Sequence, residues 1–257
     1  MSLRRSAAVS RHEARVLRRD PMPLTVLLLM PLIMAPLYRT TFRAALVFGG
    51  HPHASGSDFA IPAQMVQFGF FLVPFTGFSF FREHIWKTWH RLRGSQASPA
   101  EIVAGKAVPL VALGIVQVAV LLTFGWAVLG LHLRGQAIAL GAVAIVYVCC
   151  AVTLGLALTA VVRTSQQLNA VGFLGATVLG AVGGALVPLN TLPRWTRALA
   201  PATPQYWAMR AARDLILDGR PAHAVLLPVA VLAGFTAVAA GIAVRRFQFD
   251  ERNVGWS

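Results

Sequence analysis

Residues 135–162 read GQAIALGAVAIVYVCCAVTLGLALTAVV, 28 consecutive positions without a Lys, Arg, Asp or Glu. A helix needs about 20 mostly apolar residues to cross ~30 Å of hydrocarbon. This stretch is long enough to span a bilayer and too apolar for a soluble surface. Working outward from it, uncharged runs recur at Pro21–Tyr38, Phe59–Phe81, Ala107–His132, Thr164–Pro193 and Pro221–Val244. Trimmed where Pro or Gly ends a helix, they predict six spans near 22–42, 60–81, 107–130, 138–162, 168–187 and 224–244. The chain therefore reads as an all-α integral membrane protein with one six-span domain over 21–244. A basic segment (1–20) precedes it and a tail (245–257) follows.

Composition agrees. Charged residues make up 12% of the 257 positions and hydrophobic ones 56%, whereas soluble domains carry roughly a quarter charged residues. The formal charge of +14 would suit nucleic acid only if the basic residues shared a soluble face. Here they sit between apolar runs, so nucleic acid is not an expected partner and the lipid bilayer is. Cys149 and Cys150 are adjacent inside a span, too strained a pair for a disulfide. Six arginines and no apolar core in the first 20 residues argue against a cleaved signal peptide.

With six spans both termini share a side. That side holds 15 of the basic residues and the other side 8, which makes both termini cytoplasmic. Leu3–Arg19 carries Val9, Val16 and Leu17 as a sparse apolar stripe, suited to lie on an anionic inner leaflet; a disordered basic tail is the alternative. Pro193, Pro201 and Pro204 cut the external segment 189–221 into short helices, Arg194–Ala200 and Gln205–Leu217.

Several chemistries are disfavoured. Spans two to six carry no ionisable residue in their predicted interiors, which an ion-coupled transporter would need. The phosphate-binding loop Gly-x-x-x-x-Gly-Lys-Ser/Thr is absent: before Gly105-Lys106, Ala100 stands in place of the first Gly, and Ala107 replaces the hydroxyl. His51, His53 and Asp58 make a weak metal candidate, and no serine-nucleophile motif or paired carboxylates occur in the spans. The chain is expected to bind no metal or cofactor and to have no catalytic residue.

Three features remain. After span two, Ile85, Trp89 and Leu92 form a helical stripe among Arg82, Lys87, Arg91 and Arg93. Ser98-Pro99 with Glu101 then caps a helix running through Gly105-Lys106 into span three. The first helix either rests on the membrane surface or docks in a partner's groove. Second, small residues recur four apart at Ala151/Gly155 and Ala176/Gly180/Gly184, for close helix packing within the subunit or between subunits. Third, Gly183-Gly184…Pro188…Leu192-Pro193-Arg-Trp195…Pro204…Arg210 reads as a span interrupted by Pro and followed by short amphipathic helices.

Together with Arg19-Asp20-Pro21 before span one, Arg82-Glu83 and Thr88-x-x-Arg91-Leu92 after span two, and Ser98-Pro99 with Gly105-Lys106 before span three, these motifs resemble the permease subunit of type-2 ABC exporters. The resemblance is to daunorubicin-resistance-like drug exporters, and it runs along the whole chain. It implies a permease that pairs with a second copy or a homologous permease and with two cytoplasmic ABC ATPase subunits, in which ATP and Mg²⁺ bind. It implies a cytoplasmic coupling helix between spans two and three, with Glu83, Ile85, Trp86, Trp89, Arg91, Leu92, Glu101 and Lys106 as coupling residues. Gln64, Gln67, Phe68, Phe71, Phe75 and Asn169 are candidates for the substrate path, which suits a lipophilic or amphipathic compound; lipid-facing phenylalanines are the alternative. Glycolipid or polysaccharide export is the alternative activity, and a non-transporting membrane scaffold a more distant one. The expected site is the cell membrane, plasma or inner.

Overall fold

The computed structural model describes residues 3–86, 97–132 and 137–246, and the regular elements among them are all helical. Helix α1 (Leu3–Arg19) precedes α2 (Pro21–Phe48). Asp20 separates them as an N-cap: its carboxylate accepts from the Met22 N–H at 3.1 Å, and Pro21 occupies the first turn, where its missing N–H costs nothing. Then come α3 (Ser57–Gly69), α4 (Leu72–Ile85), α5 (Pro99–Ala127) and α6 (Ala137–Val161). Helix α7 covers 165–182. The chain closes with the short α8 (Arg194–Leu199), α9 (Pro204–Ile216) and α10 (Leu226–Arg246). The short helices expected at 194–200 and 205–217 are thus α8 and α9.

Five helices are long and apolar enough to cross a membrane: α2, the α3–α4 pair, α5, α6 and the last helix. They fall on expected spans one, two, three, four and six. The stretch expected as span five, 168–187, is built differently. It starts earlier, in the polar residues Gln166, Gln167 and Asn169, and passes through a π-helical turn at Ala170–Leu174. It stops at Val182. The stop is a left-handed cap: Gly184 has φ +85°, the Ala185 N–H reaches the Gly180 carbonyl at 2.8 Å, and the Gly184 N–H reaches Ala181 at 3.3 Å. A side chain at Gly184 would pay for that conformation, so the expected small-residue position is also the helix terminator. At ~1.5 Å per residue α7 is roughly 27 Å long, close to a hydrocarbon thickness.

Helix α5 also starts before the expected edge of span three. Ser98 Oγ accepts from the Glu101 N–H at 3.3 Å while the Glu101 carboxylate accepts from the Ser98 N–H at 2.9 Å. This reciprocal cap opens the helix at Pro99 and so carries Lys106 inside it.

The second span is the centre of the molecule. Of its most apolar segment 89% is buried, against 22% for the first and the last spans. Helix α2 packs on α3, α6 lies along α4, α10 lies along α6, and α9 folds back against α3, α6 and α10. Lipid tails are as apolar as Leu, so this packing depends on close approach rather than on expulsion of water. Cys150 and Ala151 on α6 are 0% exposed, and a Cβ on Gly155 would lie 2.6 Å from the Val73 carbonyl and from Thr76. A Cβ on Gly180 would collide with the Gln67 amide. These small residues join α6 to α4 and α7 to α3 within one chain.

Candidate functional site

Val9, Glu13 and Leu17 stand four apart on α1, so they share one face of the helix. That face lies on α5. A Cβ on Gly105 would meet Val9 at 2.6 Å, and Ser6 Oγ donates to the Glu101 carbonyl at 3.1 Å. Leu17 is buried, and Glu13, midway between the two apolar residues, is 0% exposed. The N-terminal segment is therefore a docked helix with a carboxylate at the centre of its contact face.

Opposite that carboxylate is Lys106, 1% exposed. An ammonium group has three donors, and all three are used: Nζ donates to Glu13 Oε2 at 3.0 Å, to Glu83 Oε1 at 2.8 Å and to the Ser79 carbonyl at 2.8 Å. The remaining oxygen of Glu13 accepts from the Arg82 guanidinium. Arg82 also faces Asp20, the cap of α2, at 4.0 Å. Among the described residues, two cations and two buried carboxylates thus meet at one point between α1, α4 and α5. A buried ion pair adds little net stability over a well-packed apolar substitute, but losing one partner strands a charge. Its consequence is positional: α1 cannot slide on α4 and α5 without breaking several charged contacts.

This hub lies at the end of α4 from which the 86–98 connection departs. Trp86, the last described residue before it, is 54% exposed, with the Arg82 guanidinium 5.3 Å from its ring centre. Of the expected coupling residues, Glu83 and Lys106 meet in the buried hub, and Glu101 closes the α5 cap and is 3% exposed. All three are held inside the bundle rather than presented on a free surface. Ile85 ends α4. Trp89, Arg91 and Leu92 lie outside the described residues. Glu13 and Arg82 were not among the expected site residues; the signal for Glu13 was its four-residue spacing from Val9 and Leu17.

The substrate-path candidates divide. Phe71 in the turn before α4, with Phe75 and Phe78 on α4, surrounds Phe173 in the π turn of α7, with ring centres 5.4, 5.8 and 6.3 Å away, and Phe68 stacks edge-on against Phe71. Gln64 and Gln67 are instead buried inside the bundle at 2% and 3% exposure. Gln67 Nε2 reaches the Ala176 carbonyl at 3.5 Å. The amide oxygens of Gln64 and Gln67, and both amide ends of Gln117 and Gln205, have no hydrogen-bond partner among the described residues. Asn169 is exposed, away from these glutamines. The interior therefore holds unpartnered glutamine amides on α3, α5 and α9 as well as an aromatic cluster.

At the other end of the bundle, Asp58 organises two loops. It accepts from the Ser55 N–H at 2.8 Å and from the His132 N–H at 2.9 Å. His51 faces Asp218 at 3.8 Å. Among the described residues no three His, Cys, Asp or Glu side chains gather as metal ligands.

Comparison with known proteins bears on the same elements. The family model for ABC-2 type transporters matches residues 6–217, from the docking face of α1 to the end of α9. The linearmycin resistance permease protein LnrN of Bacillus subtilis (strain 168) is 29% identical over 160 residues, 62% of this chain and 41% of that protein. The chain thus spans about two fifths of the length of the curated relative it matches. A family match over most of the sequence, on an all-helical fold with several bilayer-length apolar helices, establishes that this multi-pass membrane chain belongs to the ABC-2 type transporter family, as a permease.

Proposed function

We propose that this chain is the membrane-spanning subunit of an ATP-driven exporter that moves a lipophilic or amphipathic compound out of the cytoplasm or the inner leaflet. ATP is hydrolysed on a pair of separate ABC ATPase chains, and a second permease copy or a homologue completes the pore. Both termini, and with them the ionic hub, face the cytoplasm in the cell membrane.

The observation that carries the reading is the hub. Work delivered to the segment after Glu83 passes directly into α4 and, through Lys106 and Glu13, into α5 and α1. Those helices then move as one body between two packings, a population shift driven by the ATPase's differential binding. A resistance permease among the relatives supports a small exported toxic compound. The buried, unpartnered glutamine amides together with the Phe71–Phe173 cluster support an amphipathic one.

The test is retention of the ABC ATPase when the chain is purified from membranes containing both. Trp86 and Trp89 are anchors in this account, and removing a buried aromatic anchor costs about 2 kcal/mol or more at an interface. An exposed charge contributes only ~0–1 kcal/mol. Trp86→Ala and Trp89→Ala should each release most of the ATPase and depress transport, while Lys87→Ala stays near the parent. Equal, negligible effects from all three would contradict docking at this segment.

A further inference from the structure

At the end of the bundle opposite the hub, the C-terminus of α2, the 184–190 turn and α9 enclose a cavity of ≈ 120 Å³. Its polar lining is Arg210, Arg213, His51 and Asn190, and no carboxylate lines it. Phe59 and Met209, both buried, form the apolar floor. The arginines stand three apart on α9, which places them on one face. Arg210 is half-buried and already held, by Asp214 at 4.0 Å and by the Trp207 ring at 5.5 Å. Asp214 is shared with Arg220, at 3.6 Å. Arg213 has neither an ion pair nor a hydrogen bond from its side chain among the described residues. The wall beside it turns at Gly184, whose left-handed φ of +85° fixes the shape of the mouth.

The cavity has room for roughly four water volumes at ~30 Å³ each, which is the size of a phosphate or carboxylate with a short piece of chain. A longer tail has to lie outside. The apolar surface for it adjoins the mouth: Val47 and Phe48, immediately before the lining residue Gly49, are 45% and 90% exposed. Guanidinium groups match the two-oxygen edge of a carboxylate or phosphate better than any other cationic side chain.

We propose that this cavity binds the anionic headgroup of an amphiphile, a phosphate or carboxylate held between Arg210 and Arg213 with its apolar chain along Val47 and Phe48. The amphiphile is either an anionic lipid of the bilayer or a free single-chain anion. The site does not depend on the ATPase contact, so it stands or falls separately from the transport reading.

The experiment is native mass spectrometry of the full chain, purified with equimolar phosphatidylglycerol and phosphatidylcholine, then repeated with decanoate added. The expected result is preferential retention of phosphatidylglycerol or of decanoate, weakened about ten-fold in Arg213→Gln, the effect of one charge-assisted contact. Arg213→Lys should recover part of it. Retention of phosphatidylglycerol undisturbed by decanoate identifies the lipid as the ligand; retention of decanoate alone identifies the free amphiphile. Arg194→Gln, an exposed charge on α8 outside the cavity, should bind like the parent. Equal retention of both lipids with decanoate binding unchanged by Arg213→Gln would overturn the proposal. So would a loss in Arg194→Gln equal to that in Arg213→Gln, because attraction would then be a property of surface charge alone.

Discussion

Lys106 has no spare contact: each of its three donors meets an oxygen, and two of those oxygens belong to carboxylates that are themselves buried. Replacing it by Met removes one positive charge from beside the buried carboxylates of Glu13 and Glu83. Breaking a buried pair from one side costs about 3–5 kcal/mol, which for a chain of this size lowers the unfolding midpoint by more than ~6 °C. The double variant Lys106→Met/Glu83→Gln restores the balance of charge and should regain at least ~1 kcal/mol over the single one, as coupled neighbours do. Thermal unfolding of the purified chain in detergent checks both; a double variant no more stable than the single one would mean the pair is not coupled. This contact was only half legible in the sequence. The spacing of Glu13 from Val9 and Leu17 is visible, but an acid set among the six arginines of residues 1–20 reads equally well as part of a solvated face. Its partner is 93 positions away, and helical periodicity carries no information at that separation.

Among the elements, the caps were legible and the interruptions were not. Ser98, Pro99 and Glu101 announce the start of α5 because the cap is a local arrangement of three residues whose chemistry is fixed by their order. The π-helical turns at Thr25–Leu29 and Ala170–Leu174 were not predicted from the residue pattern of α2 or α7. The small-residue stripe of α7 was visible, yet the sequence left open whether it joined helices of one chain or of two. The collision awaiting a Cβ at Gly180 places that contact against Gln67 of the same chain. Gly180→Leu should therefore destabilise the isolated subunit by about 1–3 kcal/mol, the usual result of overpacking. Gly175→Leu, on the same helix where a Cβ meets nothing within 4 Å, should be neutral or slightly stabilising, because Gly is the poorer helix former. Unfolding midpoints of the two variants provide the comparison. Unchanged stability in Gly180→Leu together with a loss of subunit association would move the contact to an interface between copies.

At the scale of the whole molecule, the two ends of the bundle differ in their electrostatics. The hub end pairs its charges with one another: Lys106, Glu13 and Glu83 are buried, and the half-buried Arg82 pairs with Glu13. The opposite end leaves Arg213 in an open cavity with no carboxylate in its lining. A closed ionic junction transmits displacement, and an open cationic cavity accepts a ligand. If force enters the permease at the hub end, the ABC ATPase lies against that end of the bundle. A photo-crosslinking amino acid is placed at Arg11, exposed on α1, or at Arg197, exposed on α8 at the far end, in membranes that contain the ABC ATPase partner. An ATPase adduct is expected from position 11 and none from position 197. An adduct from 197, or none from 11 in a chain that still transports, would contradict it.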